Sequence, residues 1–335
     1  MKKKILLIFI DLIIAGCFFV VYGPFNEFRD FVITTAMTSM NHKYIARTFY
    51  SEKTINKVLA SNTVEQSEKE TDTSQIIIGG NEDTLKYASS YEKEILDHKE
   101  GEDYKLLEFK VNGYDAYLVA IYDPSRVHLI NSSYLGNVGQ TLRNMASDNG
   151  SIVSINAGGF EDAGGRGNGG RPEGPVIKDG KLIWGNGNRD YALAGFNNDN
   201  ILVLTSTSAN NAIKNGMRDA ITFGPFLIVN GVSAKINGNG GWGINPRTVL
   251  AQRKDGVVLF LVVDGNGINR YNWSGRGGAS LNDLLTVLER YGAYNAVNMD
   301  GGASTNLVIK GKLWNKPCAI SETGERRLPN GWAFK

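Results

Sequence analysis

The sequence predicts an α+β fold: a mixed, hairpin-rich β-sheet core with flanking helices, preceded by an N-terminal transmembrane helix. Three observations predict it. An apolar run at 5–22, broken by Asp11, follows Lys2-Lys3-Lys4. From residue 104 onward, short alternating or β-branched runs recur, several joined by Asn-Gly or Asp-Gly pairs that turn hairpins. Helical periods between them are few and short, the clearest opening at Ser280.

The apolar run is long enough, or nearly so, to cross a bilayer. Lysines on its short side place that end in the cytoplasm and the rest of the chain outside. Residues 1–23 therefore read as an uncleaved single-pass anchor in the cell membrane, with an extracytoplasmic body. A cleaved signal peptide is the competing reading. Ile14-Ala15-Gly16-Cys17 also resembles a lipobox, which would make Cys17 a lipidated N-terminus. Phe18-Phe19-Val20-Val21 continues the apolar run and favours the anchor. Residues 24–100 read as a stalk: 34–50 mildly amphipathic and helical, 61–74 polar and exposed, Ile76-Ile77-Ile78 a short strand. Residues 101–335 are the folded domain.

Within it, 106–111 and 114–122 flank Asn112-Gly113 as a hairpin. Asp123-Pro124 ends the hairpin, and 127–130 is another strand. A short helix at 141–147 stops at Gly150. The buried strand 151–155 runs into Asn156-Ala157-Gly158-Gly159-Phe160. A glycine-dense stretch at 161–174 follows. Its Gly165-Arg166-Gly167-Asn168-Gly169-Gly170 matches a dinucleotide-binding pattern in letters only, because Arg171-Pro172 follows and no helix opens there. It reads as a mobile loop over a site, with Arg166, Arg171 and Glu173 as charged members. Hairpins come next at 174–184, 224–232 and, more weakly, 307–314, with strands at 191–196 and 201–205. Arg247-Thr248 leads the strand 249–253. The run 257–263 is apolar throughout and reads as a central strand covered on both faces. It ends in Asp264-Gly265. A loop with Arg270, Trp273 and Arg276 leads to the helix, where Ser280 and Asp283 approach a capping box and Gly292 stops it. The last strand of this series ends in Asn298-Met299-Asp300-Gly301-Gly302.

Composition limits the chemistry. The net charge of +2 does not indicate a nucleic-acid-binding surface. His42, His98 and His128 share no ligand spacing, and Cys17 and Cys318 lie far apart, which argues against zinc or a disulfide scaffold. What stands out is that three strands end in Asn156, Asp264 and Asp300, each followed closely by glycine. That pattern suggests a site at one edge of a sheet. Glycine-exposed N–H groups could form an anion nest, and Arg247 could add a bidentate fork for phosphate. Asp300, Asp264 and Glu173 supply acid, base or nucleophile capacity. Plainer readings stay open: an Arg247–Asp264 structural pair, Asp264 as a turn residue, Glu173 as a solvated loop residue, and Trp242 and Trp273 as core or rim instead of sugar-stacking platforms.

These motifs, with Pro172-Glu173-Gly174, Phe223-Gly224-Pro225, Pro246-Arg247-Thr248 and Asn298-Met299-Asp300-Gly301-Gly302-Ala303-Ser304, stand in an order that resembles the phosphodiester glycosidase family. The resemblance covers about residues 100–335. Met299 and Ala303 are mild departures, since the family often has leucine and glycine at these places. The resemblance implies hydrolysis of the bond between a sugar anomeric carbon and a phosphodiester, in cell-surface polysaccharide or wall-polymer metabolism. It implies Asp300, Glu173, Asp264 and Arg247 as catalytic residues. It implies Asn156, Gly158, Gly159, Gly224, Thr248, Gly301, Gly302 and Ser304 as substrate or phosphate contacts. The expected partners are a carbohydrate phosphodiester and, through the N-terminal helix, a membrane. No cofactor is certain, and an oxygen-only Ca2+ or Mg2+ site stays open. The alternatives are a non-catalytic glycan- or wall-polymer-binding protein and a metal-dependent phosphodiesterase.

Overall fold

The apolar N-terminal run folds as the helix α1 (Lys2–Tyr22), because nothing in it breaks the backbone ladder. In the computed structural model, residues 2–38, 43–66, 68, 70–79, 87–163, 167–266 and 277–335 are described. Across Lys4–Tyr22, mean hydropathy is 2.8 and none of the span is buried in the protein. By length and composition it can cross a membrane. Early in the segment read as a stalk come α2 (Asn26–Thr38), α3 (Lys43–Phe49) and α4 (Glu52–Ser61). The helix expected at 34–50 is thus parts of two helices. Ser51 caps α4 by accepting from the Thr54 N–H at 3.2 Å. Ile33, Ala46, Ile55 and Val58 pack into a buried cluster of their own. These helices and residues 236–243 form one compact unit.

The second unit holds residues 64–235 and 244–335. Its strands are β1 (Tyr104–Val111), β2 (Tyr114–Ile121), β3 (Val127–Asn131), β4 (Val153–Asn156), β5 (Val176–Lys178), β6 (Lys181–Trp184), β7 (Asp190–Asn197), β8 (Leu202–Ser208) and β9 (Met217–Thr222). Then come β10 (Phe226–Val229), β11 (Val232–Ser233), β12 (Arg247–Arg253), β13 (Val258–Val263), β14 (Ala293–Asn298), β15 (Leu307–Ile309), β16 (Lys312–Leu313) and β17 (Asn330–Phe334). The helices here are α5 (Ser90–Leu96), α6 (Leu142–Asp148), α7 (Ala209–Lys214) and α8 (Leu281–Arg290). The strands form a seven-stranded sheet in the order β11-β10-β14-β12-β13-β2-β1 and two five-stranded sheets, β6-β5-β9-β7-β8 and β16-β15-β4-β17-β3. The pairs described in them are antiparallel. One apolar core joins all three sheets, including Val119, Ile155, Phe196, Leu250, Phe260, Val297 and Trp332.

The Asn-Gly and Asp-Gly signals turn where expected. Asn112 and Gly113, and Asp179 and Gly180, take positive φ, the backbone twist that a two-residue hairpin needs. β13 is buried along its whole length between β12 and β2, which is why its sequence is an unbroken apolar run. Ser280 and Asp283 complete a capping box on α8.

Two strands carried no sequence signal: β9 and β17 lack a hairpin partner next to them in the chain. One expectation fails. Ile76-Ile77-Ile78 is not a strand; a 3-10 turn at Thr73–Gln75 precedes it. The segment instead straps onto the domain through single bonds, Ile77 N–H to Lys254 O at 3.0 Å and Gly79 N–H to Asp255 O at 3.1 Å.

Register fixes where the functional groups emerge. β12 is antiparallel to both neighbours, with Arg247 opposite Val263 and Val249 opposite Asn298. The start of β12 and the ends of β13 and β14 therefore share one sheet edge. Asn156 ends β4 and pairs with Gly331 of β17.

Candidate active site

Asp300 lies two residues past β14, where its backbone is anchored on both sides. Its N–H donates to Ala157 O at 3.0 Å. Its carbonyl accepts from Asn156 Nδ2 at 2.6 Å. The Asn156 side chain is itself buried, and its Oδ1 accepts from Thr248 Oγ1 at 2.7 Å and from the Asn306 N–H at 3.1 Å. Two of the three polar strand ends, Asn156 and Asp300, thus meet through the Nδ2 bond. Asn156 and Thr248 act through Asp300, holding its backbone still, and their polar atoms are engaged within the protein.

Burial raises the Asp300 carboxyl pKa to about 6, and the Glu173 carboxylate nearby adds to the rise. The Ser304 hydroxyl, the Arg326 charge and the Gly301 N–H work in the opposite direction. Glu173 is exposed at its surface, and its pKa is also raised, by partial loss of water around the carboxyl and then by Asp162 and Glu161. Its N–H donates to Gly159 O at 3.0 Å, and a Cβ on Gly159 would come within 3.3 Å of its Oε2. Glu173, whose N–H is held by Gly159 O, thus stands on the chain beside the Ala157 that anchors Asp300, and its charge adds to the rise at Asp300.

The third strand end is differently used. Asp264 is buried, with Oδ1 accepting from Asn315 Nδ2 and Oδ2 from the Lys316 N–H, both at 2.8 Å. Burial raises its pKa against those bonds. It ties the end of β13 to the segment after β16, and no described ion pair joins it to Arg247. Arg247 is also buried, donates Nε to Ala279 O at 3.1 Å, and has its pKa lowered to about 10 by burial. Its guanidinium sits behind the Gly301 turn, where a Gly301 Cβ would be 3.9 Å from Nη1.

The glycines serve close approach more than an amide nest. The Gly158 N–H goes to Asn330 Oδ1 at 2.8 Å, and the Gly302 N–H to Pro246 O at 2.9 Å. A Cβ on Gly301 would stand 2.7 Å from Pro246 O, and one on Gly159 would stand 2.9 Å from the Phe223 ring. Gly224 precedes a cis proline, and its carbonyl accepts from Asn298 Nδ2 at 3.0 Å. Ser304 is buried in the 3-10 turn Gly302–Ser304.

The glycine-dense loop is tied down on its described limbs. Phe160 bridges Pro172, and the Glu161 N–H donates to Arg171 O at 2.9 Å. Arg171 pairs with Glu161 and lies over the Trp184 ring. Arg166, Arg270, Trp273 and Arg276 lie outside the described residues, and Trp242 falls in the 236–243 segment of the helical unit. Among the described residues, no group of three or more His, Cys, Asp or Glu could hold a metal ion.

Sequence reading missed Arg326, Asp162, Asn315 and Asn330. Arg326 Nη2 donates to Asp162 Oδ2 at 2.7 Å, and its guanidinium lies 4.4 Å from the Phe160 ring centroid. Nothing in the pattern of 315–330 signals these contacts; those of Arg326 and Asn330 are made with chain 164 and 172 residues earlier, and that of Asn315 with chain 51 residues earlier.

The chain is similar to known proteins. The chain is 27% identical over 212 residues to the SPbeta prophage-derived uncharacterized protein YomE of Bacillus subtilis, a match over 59% of this chain and 30% of that relative's length. Its fold is similar to the zebrafish N-acetylglucosamine-1-phosphodiester alpha-N-acetylglucosaminidase catalytic domain, auto-inhibited by its pro-peptide. There the TM-score is 0.55 at 20% identity, covering 71% of this chain and 85% of that one. A family model described as phosphodiester glycosidase matches residues 149–335, a stretch that holds Asn156, Glu173, Arg247, Asp264 and Asp300. That is more than half of the chain, which therefore belongs to the phosphodiester glycosidase family.

Proposed function

We propose that this protein hydrolyses the bond between a sugar anomeric carbon and the phosphate of a sugar-1-phosphodiester. We further propose that it works outside the cytoplasm, anchored through α1, on cell-surface polysaccharide or wall polymer. The observation that carries the reading is the Asp300–Glu173 pair. One carboxyl stands on a backbone anchored at a sheet edge, with its pKa raised to about 6, and the Glu173 carboxylate adds to that rise. Such a pair is what glycoside hydrolysis requires. The name of the zebrafish relative suggests an N-acetylglucosamine-type sugar.

In the proposed reaction the anomeric C–O bond breaks, the phosphate leaves with the electron pair as a phosphomonoester, and water supplies the new anomeric hydroxyl. A phosphate is a good leaving group once its charge is offset, so the demand falls on the carboxylate that attacks the anomeric carbon or activates water. Asp300, largely ionised at pH 7, takes that role, with Glu173 as partner. Arg247 adds positive field from behind the Gly301 turn, and Asp264 keeps the end of β13 in place. The test is turnover and binding of UDP-N-acetylglucosamine by the wild type and Asp300→Asn. Turnover lost with binding retained supports the reading. Binding without turnover in the wild type identifies a glycan-binding protein instead.

A further inference from the structure

A phosphodiester brought to Asp300 also meets Glu173, so it needs a cation it can reach. The Gly158 and Gly302 amides near Asp300 are engaged within the protein, as described above. Arg247 is 3% exposed and donates to a backbone carbonyl. Arg326 is placed differently. Its side chain is 20% exposed. One Nη2 N–H is directed to Asp162, and one face lies on Phe160. Phe160 lies three residues after Ala157, the residue that holds the Asp300 N–H. Asp162 is fixed in turn, since its Oδ1 accepts from the Gly167 N–H at 2.6 Å. A guanidinium clamped by a carboxylate and a ring keeps its remaining edge in a fixed direction, which is what bidentate phosphate recognition needs.

We propose that Arg326 binds the substrate's phosphate, with Asp162 and Phe160 orienting its guanidinium; this rests on the sugar-phosphodiester reading above. The Asp162–Arg326 pair also ties the glycine-dense loop to the segment before β17.

The test uses the full chain in detergent micelles, as wild type, Arg326→Gln and Arg326→Lys. Inorganic phosphate is titrated by 31P NMR. In parallel, kcat/KM is measured on the methyl phosphodiester of N-acetylglucosamine-1-phosphate and on a neutral nitrophenyl glycoside of the same sugar. Arg326→Gln is expected to weaken phosphate binding about 10- to 100-fold. Arg326→Lys keeps the charge without the fork and is expected to weaken it about tenfold. It also carries the test if the glutamine variant fails to fold. Phosphodiester turnover falls by similar factors, while the neutral glycoside changes less than about threefold, as expected for a contact to the phosphate alone. Phosphate affinity that is equal in all three proteins, or absent from the wild type, overturns the assignment. Arg326-dependent phosphate binding without turnover by the wild type would leave the assignment standing and remove the hydrolase reading.

Discussion

Asp300 carries a pH prediction with a definite sign. Its pKa is raised to about 6, chiefly by burial, and the ionised form is the active one. The acid limb of kcat/KM therefore lies near pH 6, with activity lost as pH falls through it. Stability runs the other way. A carboxyl whose folded pKa exceeds its unfolded value favours the fold most below the unfolded value, and that contribution is lost as pH rises through about 6. Asp300→Asn should thus abolish turnover while raising stability at pH 7, by about 1–3 kcal/mol. Urea melts at pH 4 and pH 7 check this; a variant less stable than wild type at pH 7 contradicts it. Asn156→Ala should act oppositely, because it leaves Thr248, the Asn306 N–H and the Asp300 carbonyl without their partner. A loss of about 2–4 kcal/mol is expected in the same melts. Both residues were legible in the sequence because each ends a strand beside glycine. Arg326 and Asn330 were not, because their partners are fixed only by tertiary packing.

At the level of elements, legibility follows locality. The hairpins β1–β2, β5–β6 and β10–β11 and the helix α8 are written in adjacent residues: Asn-Gly, Asp-Gly and the Ser280–Asp283 box. β9 and β17 pair mainly with strands far away in the chain, so no local signal marks them. Gly195 shows how tightly one such pairing is made. A Cβ there would fall 1.9 Å from Asp219 O on β9. Gly195→Ala should therefore cost about 3 kcal/mol or more, since backbone must shift to admit it. A melting temperature unchanged by this substitution would show that the β7–β9 pairing is looser than described.

For the molecule as a whole, the sequence divided the chain at about residue 100, whereas contacts that begin earlier define the second unit. The Thr71 N–H donates to Leu204 O at 3.0 Å, the Leu204 N–H to Thr71 Oγ1 at 3.0 Å, and the Asp72 N–H to Asn230 Oδ1 at 2.8 Å. Ile76 and Ile95 are buried. These contacts were invisible beforehand because a polar strap held by single hydrogen bonds has no period. A chain beginning at Val64 should melt several degrees above one beginning at residue 101, by about 2 kcal/mol for the lost apolar burial. Equal melting temperatures would return the segment to a spacer.

The central claim is which bond breaks, and isotope labelling reads it directly. The full chain is incubated with the methyl phosphodiester of N-acetylglucosamine-1-phosphate in oxygen-18 water, with and without chelator, and the released methyl phosphate is observed by 31P NMR. Attack at the anomeric carbon leaves the phosphate unlabelled, with the label in the sugar hydroxyl; this is the predicted result. An isotope-shifted phosphate resonance would place the cleavage at P–O and contradict the glycosidase account.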